Sequence, residues 1–592
     1  MRRMSLDSAQ SQRSSVSPSA GPMTQIMGRR WMVSAGHPLA AQAAARVLEA
    51  GGNAIDAGVA AGFMLGTVHM DMVSFAGVAP ILVHLAATGE TFEVSGVGPY
   101  PRRATADFFR ERCGGQIPVG LLRTVVPAAP DAWCVALERW GTWSFRDAVA
   151  PARECAERGF PLSTFSASMI STNAERYRQF PTSTSLYLPG GAPPAPGQLF
   201  VQTELAETIG LMVEGETRAR RRGRARAIRA ARDVFYKGEI ARRIAEFHER
   251  EGGLLTAADL ADFRAEVAPA LVTSFRDYEI ASCGFWCQGP VLLQMLNLIE
   301  PYDFAAMGHN SPRAIHLLVE AMKLAFADRE AYYGDPRHVK VPADELLSKA
   351  YAAARRALIH EDRAWPEMPP PGDPAAMAAV KNGGPTAPAA PRPPGGPRAL
   401  DTAYVCIVDA EGNGFSATPS DPSVDSPVIP GVGCVVSPRG SQGWLAPGHS
   451  SEVAPGKRPR LTPAPAMAFR GGRLFMPFGT PGGDVQQQAM LQVFLNVTAF
   501  GMPPQRAVEV PRVATRSFPD SFWPHADSPG QLDAELGIAA ETRAALSALG
   551  HVVSERPDHD WRSGAVCAIV VRPDGTLMAG ADPRRGAHAI GW

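Results

Sequence analysis

The chain has 592 residues, with 58 Lys and Arg against 58 Asp and Glu and 45% hydrophobic residues. That length suits two or more ordinary domains or one large α/β unit with insertions, and the balanced charge gives no global field to gather nucleic acid or a membrane surface. Eight cysteines (Cys113, Cys134, Cys155, Cys283, Cys287, Cys406, Cys434 and Cys567) are scattered without metal-site spacing and read as buried free thiols.

Residues 1–30 are basic and Ser-rich, with no apolar run of signal-peptide length, and read as a disordered tail. No later stretch reaches about 18 continuous apolar residues, so the expectation is a cytoplasmic protein with no membrane span. Residues 31–68 read as a strand followed by two small-residue helices, the first stopped by Gly51 and Gly52. Asn53 and Asp56 could pass for catalytic groups, but a helix cap and a buried structural hydrogen bond are the preferred reading. A strand over 81–85 leads to FEVSGVGPYPRRAT, where Arg102 and Arg103 are candidates for an anion-binding pair as well as for a solvated turn. An amphipathic helix is expected over 131–139, and 146–216 is mostly helical with one loop.

The basic run from Arg218 to Arg232 lacks aromatic interleaving or any recognisable nucleic-acid module, so it reads as a solvated helix face. Thr256 caps a short helix, and residues 311–336 place Ile315, Leu318, Val319, Met322 and Phe326 on one helical face. His316 and Glu320 resemble half of a metal pair, but no second His follows within reach, so a structural role is expected. Asp328 and Arg329 read as an ion pair at the helix end.

Residues 365–401, rich in Pro, Gly and Ala, read as a linker. Directly after it, LDTAYVCIVDAEGNGFSAT alternates like a half-buried strand, turns between Asp409 and Asn413 and resumes at Phe415, which is a hairpin. A Thr opening such a strand is ordinarily a β-former or a cap. Farther on, residues 474–502 read as a buried strand, a turn at Gly482 and Gly483 and a helix, and the tail supplies two strands around Asp574 and Gly575. Asp582 and Arg584 are expected to stabilise the fold near the site.

Asp401, Thr402, Val408, Asp409, Gly412 and Asn413 match a D-T-T-H-x-S-V-V-D-x-x-G-N pattern, and with S-A-G-H-P-L-A, G-G-N-A-I-D-A and P-G-K-R-P-R-x-T-P the chain resembles the γ-glutamyltranspeptidase family over residues 31–592. The resemblance is nearer to its acylase-like and oxamate-hydrolase-like branch. It implies an α+β fold, a four-layer αββα sandwich of the N-terminal-nucleophile type, with a large part (31–364) and a small part (402–592) interleaved as one domain. It implies self-cleavage before Thr402, which would leave Thr402 Oγ beside its own α-amine. Such an amine, with a pKa of roughly 7.7 to 8.0, is a base poised at working pH.

The same resemblance makes Gly482 and Gly483 the oxyanion hole and puts Ser420 where the family has a second supporting hydroxyl. It assigns Arg439, Gln442 and Thr462 to substrate binding. The departures are specific. Ala403 and Tyr404 replace Thr and His, Gly77 is the one glycine left in a Gly-rich loop, and Val97 stands where true transpeptidases carry the Arg that pairs with the substrate's α-carboxylate. Losing that bidentate contact disfavours glutathione, whereas Arg439 suits an anionic acyl group. The expected enzyme is therefore an amidohydrolase of small acyl amides with no metal or organic cofactor. It would be a heterodimer of self-cleaved subunits, a higher oligomer being left open. A true γ-glutamyltransferase with altered anchors and an uncleaved non-catalytic scaffold are the alternatives.

Overall fold

The computed structural model describes residues 24–380 and 401–592. Two seven-stranded antiparallel sheets form its centre. The first runs, in spatial order, Ile26–Gly28, Leu577–Ala581, Cys567–Val571, Arg473–Gly479, Ala466–Arg470, Tyr278–Ser282 and Leu271–Phe275. The second runs His588–Gly591, Met32–Ala35, Val405–Val408, Gly414–Ala417, Ile81–Leu85, Glu90–Val94 and Val267–Pro269. Each sheet therefore mixes strands from before and after residue 402. Cutting the chain there leaves the two pieces hydrogen-bonded across both sheets.

Helices cover the outer faces, giving four layers in the order αββα. The helices Pro38–Glu49 and Ala54–Val68 lie on the second sheet; Gly289–Ile299 and Gln486–Thr498 lie on the first. Alternation along 404–408 sorts its side chains between layers: Val405 and Ile407 join the helices, while Tyr404, Cys406 and Val408 join Met467, Leu474 and Ile569 between the sheets. The strand expected to be half-buried is thus buried on both faces, because helices cover the side that an isolated hairpin would give to water. Small residues make that cover close: a Cβ on Gly58 would stand 2.2 Å from the Phe415 ring.

The helix at Ala54 is set by the expected cap. Asn53 and Asp56 form a reciprocal capping box, and buried Asp56 also accepts from Thr142 N (2.7 Å), Thr142 Oγ1 (2.7 Å) and Trp143 N (3.0 Å). Other expectations shift. Within the expected tail, Ile26–Gly28 pairs with Leu577–Ala579, an edge strand too short to show an apolar period. Residues 365–380 of the expected linker pack on the helix Pro312–Tyr332: Trp365 N donates to Glu320 Oε2 at 3.1 Å and Gly372 N to Asp328 Oδ1 at 2.9 Å. Residues 1–23 of the expected tail and 381–400 of the expected linker lie outside the described residues.

In the basic run Arg220, Arg221 and Arg222 are exposed as expected, but Arg232 is buried against Asp131 (2.5 Å) and Arg224 caps the carbonyls of Leu137, Glu138 and Trp143. Asp328 and Arg329 do not pair with each other, because other partners claim them: Asp328 meets Arg355 (3.4 Å), and Arg329 meets Asp484 (2.5 Å) and Glu330 (2.5 Å). Six of the cysteines are buried, Cys113 and Cys155 are half-buried, and all are free. Among the described residues no helix is long and apolar enough to cross a membrane.

Candidate active site

Thr402 lies at the mouth of the strand Val405–Val408 and is fully buried. Its backbone is held on both sides, Thr402 N donating to Met72 O at 2.9 Å and Ala403 N to Pro419 O at 3.0 Å. The φ of Thr402 is +88°. A β-branched residue in that region is strained, at a cost of about 1–3 kcal/mol, and persists only where its surroundings over-determine it. Asp421, with φ +119°, is a second such residue in the facing turn.

Four side chains converge on Thr402. Its Oγ1 donates to Asp401 Oδ1 at 3.0 Å and lies 2.6 Å from Ser420 Oγ. Arg439 bridges the group, donating from Nη2 to Asp401 Oδ2 and Ser420 Oγ and from Nε to Asp421 Oδ1 at 2.5 Å. Burial pushes the Asp421 carboxyl up to about 7, against the lowering pull of Arg439. The loop at 439–442 is pressed in so closely that a Cβ on Gly440 would stand 2.3 Å from Arg123 O. Gly77, the one glycine kept in its loop, is fixed the same way: its Cβ would stand 2.3 Å from Ser420 O.

The remaining candidates are placed differently. Gly482 and Gly483, with φ of +129° and +57°, end the strand Arg473–Gly479 in a turn that no L side chain enters without strain. Gln288 Nε2 donates to Gly483 O at 2.9 Å and holds that turn. Gln442 and Thr462 bond to each other (2.9 Å) rather than to Thr402. Arg102 is more than half exposed in an ion pair with Asp262, and Arg103 is exposed, so neither joins the Thr402 network. Arg102 lines a surface groove of about 290 Å³ with Asp259, Arg337 and Arg458. Val97 is buried in the apolar layer between the sheets and offers no charge. Tyr404 fills that layer too, its ring against Gly479 and its hydroxyl 2.5 Å from Ser416 Oγ.

Besides Asp421, two groups escape the sequence reading. Arg585 Nη1 donates to Asp401 O, the carbonyl of the bond before Thr402, at 3.1 Å. Burial lowers its guanidinium to about 10, so it stays charged at neutral pH. Its signal in the sequence was its place at the end of the family-like run A-D-P-R-R, beside Arg584, which is paired with Asp582 (3.1 Å) and Glu535 (2.5 Å). The other is His551, brought to His316 by the fold, with His316 Nδ1 2.9 Å from His551 Nε2. With Glu320 these could ligate a metal, their ligand atoms lying within 4.8 Å of one another. The Glu320 oxygens, however, are taken by Lys323 Nζ (2.8 Å) and Trp365 N, and an ammonium there opposes a cation.

The gamma-glutamyltranspeptidase family model matches residues 40–592. An Acylase ACY 1 proenzyme from Pseudomonas sp. (strain SE83) is 34% identical, over 94% of this chain and 92% of its own. A glutathione hydrolase-like YwrD proenzyme from Bacillus subtilis (strain 168) is 31% identical, over 96% and 99%. Among solved structures, cephalosporin acylase from Bacillus halodurans superposes with a TM-score of 0.84 at 26% identity, covering 98% of this chain and 99% of its own.

Proposed function

The chain belongs to the γ-glutamyltranspeptidase family of N-terminal-nucleophile hydrolases, and from that premise we propose that Thr402, freed by cleavage after Asp401, is its nucleophile. The substrate class proposed is a small amide whose acyl group carries a carboxylate. What supports the reading is one observation: Thr402 Oγ1 shares its polar neighbours, Asp401 and Ser420, with the buried cation of Arg439.

Cleavage would turn Asp401 into a chain end free to withdraw, leaving Arg439 with Asp421 as its one carboxylate beside the Ser420 hydroxyl. A substrate carboxylate would then take the place of the Asp401 carboxylate. The new α-amine takes the Thr402 Oγ proton, Oγ attacks the amide carbon, and the amine returns the proton to the leaving nitrogen. Gly482 and Gly483 are assigned the oxyanion. Ser420 keeps Thr402 Oγ oriented, and Gln442 with Thr462 forms the next polar layer. Water or an amine then resolves the acyl-enzyme. The two pieces would stay together as a heterodimer because both sheets draw strands from each.

The experiment is to compare kcat/KM for paired anilides with a carboxylate-bearing and a neutral acyl group of equal length, in the wild type and in Arg439→Ala. The wild type is expected to favour the anion and Arg439→Ala to lose most of that preference, on the order of 100-fold for a charge-assisted pair. Unchanged preference in Arg439→Ala would remove the anion assignment. Turnover of a γ-glutamyl anilide in the same series tests the transferase alternative, which buried Val97 leaves without a carboxylate anchor.

A further inference from the structure

The bond before Thr402 is itself surrounded by the groups that an acyl transfer needs. We propose that the intact chain cleaves itself with two residues of its own, Asp401 as the base that takes the Thr402 hydroxyl proton and Arg585 as the cation that holds the oxyanion. The proposal rests on reading Thr402 as the nucleophile. It adds that the base and the oxyanion donor of self-cleavage differ from those of turnover, where the α-amine and the Gly482–Gly483 turn are assigned.

Geometry places each partner. Thr402 Oγ1 already donates to Asp401 Oδ1 at 3.0 Å, and the other Asp401 oxygen is pinned by Arg439, so the carboxylate cannot swing away. An uncleaved Thr402 has no α-amine, its nitrogen being an amide that donates to Met72 O, so another base is required. The scissile carbonyl oxygen accepts from Arg585 Nη1 at 3.1 Å. Arg585 is itself positioned by Nε donating to Trp561 O at 2.9 Å and by the Trp561 ring 5.2 Å beneath its guanidinium. Its Nη2 is buried and has no partner among the described residues, a second donor in reserve. A fixed cation beside a neutral carbonyl gains most when that oxygen becomes negative in a buried site of low dielectric. The φ of +88° at Thr402 is a strained torsion that includes the Asp401 carbonyl carbon, and it is released once the bond between that carbon and the Thr402 nitrogen breaks.

The step balances within the chain. Thr402 Oγ attacks the Asp401 carbonyl carbon, an O–C bond forms, and the carbonyl electron pair moves onto the oxygen facing Arg585. The hydroxyl proton passes to Asp401 Oδ1. On collapse the C–N bond breaks and that proton goes to the departing Thr402 nitrogen, leaving Asp401 esterified on Oγ beside a free amine. Water then hydrolyses the ester, giving Asp401 a terminal carboxylate and returning a hydrogen to Oγ.

The test follows cleavage of the full chain by intact mass over time in the wild type, Asp401→Asn, Asp401→Glu, Arg585→Met and Arg585→Lys, with a thermal melt of each. Asp401→Asn is expected to slow cleavage by about 100-fold or more and Arg585→Met by about 100- to 1,000-fold. Asp401→Glu and Arg585→Lys should each recover part of the rate, because they restore the base and the cation. Asp401→Asn should also acquire a rate that climbs with hydroxide up to pH 9 where the wild type is flat, a change that a packing role would not produce. Asp401→Asn or Arg585→Met chains cut before Thr402 at the wild-type rate would overturn the proposal while leaving the nucleophile in place. Equal rates for Arg585→Lys and Arg585→Met would overturn the role of the cation. A wild-type chain that stays whole, or is cut elsewhere, would instead overturn the reading beneath it.

Discussion

Two buried polar clusters, one at the start of a helix that covers the second sheet and one at the mouth of a strand of that sheet, are built on opposite plans. At the start of the helix Ala54–Val68, the Asp56 carboxylate accepts four hydrogen bonds, three of them from backbone N–H groups of ordinary conformation. At Thr402, two carboxylates share one guanidinium, two non-glycine residues hold positive φ, and Asp421 Oδ2, Arg439 Nη1 and Arg585 Nη2 are buried without partners among the described residues. A saturated cluster fixes a fold because every alternative costs hydrogen bonds. A strained, unsaturated one has something to gain from a change of covalent state.

The sharpest break of this comparison is at Thr402, the proposed nucleophile. Thr402→Ala is expected to abolish chain cleavage and to cut amidase kcat at least roughly 1,000-fold, while Thr402→Ser keeps both in part; mass analysis and an anilide assay read the two effects. Next is the glycine turn. Gly482→Ala adds a Cβ that meets nothing closer than 3.5 Å, so its cost is strain at φ +129° rather than a clash. Displacing that turn is expected to lower kcat by about 100- to 1,000-fold, or about 2.7–4 kcal/mol, with KM little changed.

The saturated cluster should respond in the other currency. Asp56→Ala leaves four donors unpaired and is expected to lose roughly 3 kcal/mol of stability in denaturant unfolding, with turnover per folded molecule unchanged.

The smallest effect per residue is a pH response of the frame. Burial lowers His37 and His551 to about 3 and His248 and His525 to about 4. Each stays neutral when folded and binds a proton when unfolded below about 6.5, so its contribution is whole above that pH and is lost as pH falls toward its folded value, about 3 for His37 and His551 and about 4 for His248 and His525. At pH 5.5 the loss is about 1.4 kcal/mol per histidine, and replacing His248 with Gln should flatten the melting curve against pH.

Much of the frame was legible because local rules and tertiary packing agree there. The alternation at 404–408, the cap at Asn53 and the helix over 312–332 are each set by near neighbours. Thr402 was legible as a candidate only as part of a motif, since a Thr before a strand has no intrinsic signature. Arg585 and Asp421 were not legible, because the contacts that matter, Asp401 O to Arg585 across 184 residues and Asp421 to Arg439, are made by the fold and not by spacing. His551 was missed for the same reason: it reaches His316 from 235 residues away. Arg102 and Arg103 show the converse, a conspicuous pair that the fold leaves on the surface.

The most direct test of the central claim is the intact mass of the purified protein, beside Thr402→Ala. The account predicts two chains that co-purify, divided between Asp401 and Thr402, and one whole chain in the variant. A wild-type protein that remains a single chain yet hydrolyses amides would contradict it, since Thr402 would then have no α-amine with which to act.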